Sequence, residues 1–233
     1  MENTTPEIQP EIRTLYQLWL SPFCRKVRLC LAEKKLDFAL EVEKTWERRR
    51  DFLKLNPSGE VPVLVDVDGL VITDSQNICD YLDEKYTNLN LGGVSLAERV
   101  EVRRLTAWFD RKFNNEVTDY LVGEKIMKRL LRSGTPDGQK IRAGHANIHY
   151  HLDYIGYLAD KRKWLAGERL TLADLAAAAH LSTIDYLGDV PWEQHKAARD
   201  WYMRLKSRPS FRQLLTEQIP GTTPATHYAD LDF

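Results

Sequence analysis

The sequence predicts a chain of two parts, an α/β unit followed by an all-helical unit. Strand-like runs are confined to the first third: Arg13 to Trp19, Phe38 to Val42, Val61 to Val65 and Leu70 to Ile72. From Leu96 to Leu215 the apolar residues recur at helical spacing, and no convincing strand interrupts them. Between the two lies Thr87 to Val94, polar and carrying Gly92-Gly93, which reads as a linker. A length of 233 residues suits one large domain or two small ones.

Each element has its own justification. Residues 1–11 read as a loose leader. Arg13 to Trp19 alternates and carries aromatics, so it predicts a strand. Ser21 is placed to cap a helix whose first turn holds Pro22. That helix presents Phe23, Val27, Cys30 and Leu31 on one face. Phe38 to Val42 predicts a second strand. Val61 to Val65 and Leu70 to Ile72 predict a hairpin turning at Asp68-Gly69. Ile78, Tyr81 and Leu82 give the next helix its apolar face. The order β-α-β-α-β-β-α over about 75 residues is a thioredoxin-like layout.

In the second unit, Thr171 and Asp174 form a capping-box pair, with Leu170 and Leu175 as its hydrophobic staple. The run Leu175 to Leu181 is nearly all apolar, which predicts the buried centre of a bundle. Pro209 opens a last helix. Pro220, Gly221 and Pro224 then end regular structure. The expected boundaries are 12–86 for the α/β domain, 96–218 for the helical domain and 219–233 for an extended tail.

Composition removes several classes of function. Net charge is −1 and hydrophobic content is 43%, so a global basic field for nucleic acid is missing. No apolar run approaches the length of a membrane span, and the first ten residues lack signal-peptide regions. The three cysteines, Cys24, Cys30 and Cys79, cannot all pair and form no Cys-x-x-Cys. Reduced thiols in a cytoplasm are expected.

The densest motif is Asn56-Pro57-Ser58-Gly59-Glu60-Val61-Pro62-Val63-Leu64, followed by Asp74-Ser75. Val61 would offer its backbone N–H and C=O to an extended ligand. Pro62 has no N–H and is a candidate cis residue. Asp74 and Ser75 would open a helix, joining a negative charge to free N–H groups. Together they suit the zwitterionic end of a small peptide.

These pieces, with Ser21-Pro22-Phe23-Cys24, Asp74-Ser75-Gln76-Asn77-Ile78 and the Thr171-x-x-Asp174 box, resemble the glutathione S-transferase superfamily over about 200 residues. The resemblance implies that Val61 pairs with the cysteinyl backbone of glutathione. It implies that Asp74 and Ser75 hold the γ-glutamyl end, and that Ser21 occupies the thiol-activating position. It also implies a homodimer.

A narrower resemblance lies in Trp108 to Phe113, His151 to Leu158, Asp185 to Trp192 and the terminal His227 to Phe233. These segments look like the FzlA group of alphaproteobacterial cell-division proteins. That group keeps the transferase fold, dimerises, binds the tubulin-like protein FtsZ, bends its filaments and promotes constriction. The resemblance thus implies a non-enzymatic, cytoplasmic protein recruited to the division site, with FtsZ filaments as partner and other division proteins reached through the tail. The alternative is a glutathione-dependent transferase or reductase in which Ser21 stabilises the thiolate and aromatics of the helical domain line an electrophile site.

Each candidate residue has a plainer role beside its functional one. Ser21 is a thiolate donor or simply a helix cap. Cys24 is a thiol near a helix dipole or a packed core residue; with Ser21 three positions before it, a dithiol cycle is excluded. Val61, Asp74 and Ser75 serve glutathione or only the turn and cap. His145 and His149 are half of a zinc site or a solvent-facing pair; no third ligand follows at metal spacing, so no metal is expected. Arg48 to Arg50 beside Trp46, and Lys125, Lys128, Arg129 and Arg132, bind an acidic partner or form solvated faces. Glu116, Asp119 and Glu124 extend an acidic docking surface or solvate their helix. In the tail, Tyr228, Leu231 and Phe233 are apolar while Asp230 and Asp232 are acidic, a pattern suited to a basic, partly apolar groove. The competing reading folds the tail back over its own cleft.

Overall fold

The computed structural model describes residues 12–231, so the expected leader and the tail residues Asp232 and Phe233 lie outside it. In the first domain, β1 (Arg13–Gln17) leads into α1 (Pro22–Glu33), and β2 (Phe38–Val42) into the short α2 (Arg50–Leu55). β3 (Val63–Val65), β4 (Val71–Thr73) and α3 (Ser75–Lys85) complete it. The strands order as β2-β1-β3-β4. β2 runs parallel to β1, pairing Leu15 with Leu40, and β3 and β4 run antiparallel. This is the expected thioredoxin-like arrangement, with two adjustments. β1 stops at Gln17, and the hairpin strands begin two and one residues later than the apolar pattern indicated.

The helical domain opens with α4 (Leu96–Ala107), capped by a Ser95–Glu98 box. The helix continues through a wide-turn π segment, Trp108–Thr118, then α5 (Asp119–Val122), a second π segment, Gly123–Met127, and α6 (Lys128–Leu131). Gly138–Lys161 forms α7, Leu172–Tyr186 α8, Lys196–Lys206 α9 and Arg212–Leu215 α10. Every residue of α8 is buried, as its apolar run predicted. Its N-terminus is fastened by Asp174, which accepts from Thr171 N (3.0 Å), Leu165 N (2.8 Å) and Trp201 Nε1 (3.1 Å).

One continuous apolar core spans both domains, from Leu15 and Leu64 in the sheet to Leu175, Trp201 and Phe211 in the bundle. α1 packs directly on α8. This junction also buries charge. Arg25 donates to Ser182 Oγ (2.9 Å), Tyr228 Oη (3.2 Å) and Glu217 Oε2 (2.6 Å), and Arg28 Nη1 meets Glu217 Oε1 at 2.5 Å. Buried Asp185 gathers Trp192 Nε1, Tyr202 Oη and His227 Nε2 at 2.7, 3.3 and 3.0 Å. Buried charges require such partners.

The tail is therefore not a free strand. Tyr228 is fully buried, its ring 5.0 Å from that of Tyr186, and its hydroxyl donates to Leu214 O at 3.1 Å. Ala225 N donates to Tyr186 O at 2.9 Å. The expectation that Tyr228 belongs to a mobile docking segment is corrected: an aromatic ring next to an apolar junction gains more from burial than from solvent. Asp230 and Leu231 remain exposed just beyond it.

Candidate functional site

The loop before β3 carries a cis Val61–Pro62 bond. The turn leading to it is held by Asn56, whose Nδ2 donates to Glu60 O at 2.8 Å. At the end of β4 the chain enters α3 through Asp74, at φ 70°. Few side chains accept that left-handed region, and aspartate is among the more tolerant. Asp74 Oδ1 accepts from Gln76 N (2.8 Å) and Asn77 N (3.0 Å), so the carboxylate caps α3 while Ser75 stands at its first turn. Ser21 caps α1 in the same manner, accepting from Cys24 N at 3.3 Å.

These elements converge on a groove of three adjoining cavities. The central one, about 310 Å³, is lined by Val61, Pro62, Asp74 and Ser75 with Phe23 and Glu60. One neighbour, about 360 Å³, opens between the domains under Ser21, Trp19 and Met127, with Glu60 on one side and Asp119 on the other. The other, about 480 Å³, continues past Ser75 to Gln76, Arg103, Thr106, Asp110 and Arg111. The structure thus brings Ser21, Val61, Asp74 and Ser75 to one groove. No residue of the described tail lines it.

The helical domain contributes Asn114, Thr118, Asp119, Val122, Gly123 and Met127 to the interdomain cavity. The expected aromatic lining from that domain is absent, because Phe109 and Phe113 turn into the core. The aromatics present, Trp19 and Phe23, come from the first domain. Sequence reasoning missed Phe23, Glu60 and Asp119 as groove residues. Glu60 stood inside the quoted motif, and its position between Gly59 and Val61 was the available signal.

Behind the groove lies a buried ionic cluster. Lys26 pairs with Asp110 Oδ2, and Asp110 Oδ1 stands 3.4 Å from His180 Nε2. His180 Nδ1 contacts Thr118 Oγ1 at 3.0 Å. Burial drives the His180 pKa down, against the pull of Asp110. The Asp110 carboxyl stays below its usual range because His180 and Lys26 outweigh its own burial.

The other candidates disperse. Cys24 is fully buried, and burial pushes its thiol up to about 11, which removes it as a nucleophile at neutral pH. His145 approaches Asp189 Oδ1 at 3.2 Å, whereas His149 Nδ1 lies 2.8 Å from His195 Nε2. The described residues hold no group of three or more ligands suited to a metal. Arg49 pairs with buried Glu43. Lys125 binds Asp189 (2.6 Å), Lys128 binds Glu124 (2.6 Å) and Arg129 donates to Gly221 O (2.8 Å), so these cations are engaged internally. Glu124 is itself buried and receives Asp137 N at 2.8 Å, which corrects its expected place on an acidic docking face. Glu116 is tied to Lys112 and His151. Among the described residues no helix is long and apolar enough to cross a membrane.

Glutathione has a partial fit. At the Ser75 end, Gln76 Oε1 and Thr106 Oγ1 are buried without hydrogen-bond partners and belong to lining residues, beside Arg103 and Arg111. An α-amino and carboxylate group suits that end. At the interdomain end the charged lining residues are Glu60 and Asp119, both acidic. Arg48 approaches Gly59 from outside the cavity lining.

Comparison with known proteins follows the same lines. Residues 20–85 match the glutathione S-transferase N-terminal domain, and residues 152–209 match its C-terminal domain. The chain is 51% identical over 224 residues to FtsZ-localized protein A of Caulobacter vibrioides, covering 95% of this chain and 98% of that protein. A solved structure of FzlA from C. crescentus superimposes with a TM-score of 0.92 at 51% identity, over 95% of this chain and all of that one. A structure described as a glutathione S-transferase from Rhodospirillum rubrum F11 gives 0.93 at 59% identity, with the same coverage.

Proposed function

The chain belongs to the glutathione S-transferase superfamily, and from that premise we propose that it is a non-enzymatic cell-division protein acting on FtsZ filaments. The observation that carries this reading is the 51% identity to FtsZ-localized protein A across 95% of the chain. The protein works in the cytoplasm at the division site. Its physical basis is a homodimer with two copies of one docking surface. Two contacts on one filament gain avidity, and the fixed angle between them imposes curvature and promotes constriction. The exposed Asp230 and Leu231, held beside the buried Tyr228, supply part of the docking surface together with Asp232 and Phe233. Other division proteins are reached through the same tail. Co-sedimentation of the full-length protein with polymerised FtsZ tests this: pelleting with filaments is expected, and failure to pellet overturns it.

A second reading is supported by the open groove and by the likeness to the R. rubrum structure. In it the chain is a glutathione-dependent transferase or reductase, with Val61, Asp74 and Ser75 holding the peptide and Ser21 donating to the thiolate. A Ser21→Ala activity assay decides it. A large Ser21-dependent rate favours the enzyme, and no rate above background removes it.

A further inference from the structure

α7 and the start of α9 bring two histidines together. His149 Nδ1 lies 2.8 Å from His195 Nε2, although 46 residues separate them in the chain. The other ring nitrogen of His195, Nδ1, stands 3.0 Å from Asp153 Oδ1. His149 and Asp153 are one turn apart on α7, and His195 occupies the N-cap of α9 without its side chain capping that helix. Sequence spacing offered His149 only His145 as a companion. In the fold His145 turns to Asp189, at 3.2 Å, and the companion of His149 comes from another element.

The contacts fix the protonation of the pair. A carboxylate only accepts, so His195 Nδ1 carries the proton given to Asp153, and His195 Nε2 is left with its lone pair. That lone pair accepts the proton of His149 Nδ1. A histidine that ligates a metal almost always donates its second N–H to a carboxylate or carbonyl, which sets the tautomer and raises the basicity of the ligating nitrogen. Asp153 does this for His195, and its charge offsets the positive end of the α9 dipole, which opposes a cation. Imidazole nitrogens suit zinc, copper and nickel rather than magnesium or calcium. Two nitrogens bound to one tetrahedral zinc stand roughly 3.3 Å apart, so the pair has to open by only about 0.5 Å. A small turn of the half-buried His149 ring supplies that opening. His149 then passes its proton to its own Nε2 by exchange with water, and both rings stay neutral.

We propose that His149 and His195 form a binding site for a divalent ion of the zinc class, with Asp153 as the positioning residue and water completing the coordination. The ion takes the place of the proton held between the two rings. It ties α7 to the first turn of α9 and favours the native state, because only the folded chain brings the rings together. Neither histidine lines the groove, so the site is independent of a thiol peptide and of filament binding.

The test is calorimetric titration of the full-length protein, purified without a histidine tag, with zinc chloride and with magnesium chloride. One equivalent of zinc is expected to bind, and magnesium to give no binding heat. His149→Ala and His195→Ala should each weaken zinc binding by at least ~10-fold, and Asp153→Asn by about 10-fold. His145→Ala should leave it unchanged. Nitrogen-detected NMR of the unaltered protein gives a reading that needs no variant: zinc should shift the ring resonances of His149 and His195 ahead of those of every other histidine. Zinc binding no tighter than millimolar, binding that survives in the His149→Ala, His195→Ala double variant, or ring shifts confined to other histidines would each overturn the site.

Discussion

Trp108 Nε1 donates to His151 Nδ1 at 3.1 Å, and that contact fixes the protonation of a fully buried imidazole. With Nδ1 accepting, the proton sits on Nε2 and is given to Glu116 Oε2 at 3.1 Å. Burial pushes the His151 pKa down to about 4, although Glu116 pulls the other way. The unfolded chain takes up this proton near pH 6.5. The native state resists it to about pH 4. Stability from this group is therefore complete above pH 6.5 and falls as pH drops to 4, by roughly 3 kcal/mol at most. Urea unfolding at pH 7, 5.5 and 4.5, beside His151→Asn, checks this. The variant should start less stable at pH 7 and lose less on acidification.

Glu217 neutralises Arg25 and Arg28 at the domain junction. Those arginines hold its carboxyl below the usual range in spite of burial. Glu217→Gln leaves two buried cations short of a counter-charge and should cost about 3–5 kcal/mol. The midpoint of urea unfolding reports it. A change below roughly 1 kcal/mol would mean that water reaches this junction.

The tail divides into an anchor and an exposed tip. Tyr228→Ala should destabilise by about 3–5 kcal/mol through the cavity it leaves. Asp230→Lys alters an exposed group and should leave the melting temperature unchanged. In co-sedimentation with FtsZ filaments, Asp230→Lys should lower pelleting severalfold. Unchanged pelleting would remove the tail tip from the docking surface.

Asp174 receives four hydrogen bonds at the start of α8, one of them from Thr171 Oγ1 at 3.0 Å. Asp174→Ala strands those donors in the core, at a cost of about 3–5 kcal/mol. Thermal unfolding should register the change as a large fall in melting temperature.

All three cysteines are buried. Burial raises the Cys24 thiol to about 11, and the Cys79 thiol is raised well above its ordinary value by Cys30 and burial. Iodoacetamide at pH 8 should label the native protein negligibly and the urea-unfolded protein on three sites. Rapid labelling of native Cys24 would restore it as a reactive thiol.

The signals read most easily in the sequence were local ones. Ser21 before Pro22, Asp74 before Ser75 and Asp174 three residues after Thr171 each act within one helical turn, so the sequence alone located them. The cis bond at Val61–Pro62 was legible in the same way, from residues adjacent in the chain. Contacts across the chain were not. Arg25 and Lys26 lie outside the apolar face named for α1, yet both are buried because α8 and the π segment after α4 cover them. The π segment Trp108–Thr118 has no periodicity signature, since its wider turns are set by packing against α7 and α8. Tyr228 looked like a tail residue because its partners, Arg25 and Tyr186, lie far away in sequence.

The clasp of Arg25 and Arg28 by Glu217 and Tyr228 also sets an order of events during synthesis. The two arginines leave the ribosome about 190 residues ahead of Glu217, and domains fold as they emerge. Until the final segment arrives, their charge has to stay in water, so α1 cannot close fully against α8. A truncated or clipped chain lacks the counter-charge and is left with an open domain junction, a target for proteolysis. The segment from Glu217 to Tyr228 therefore acts as a late latch: the junction between the two domains can shut only once these residues have been made.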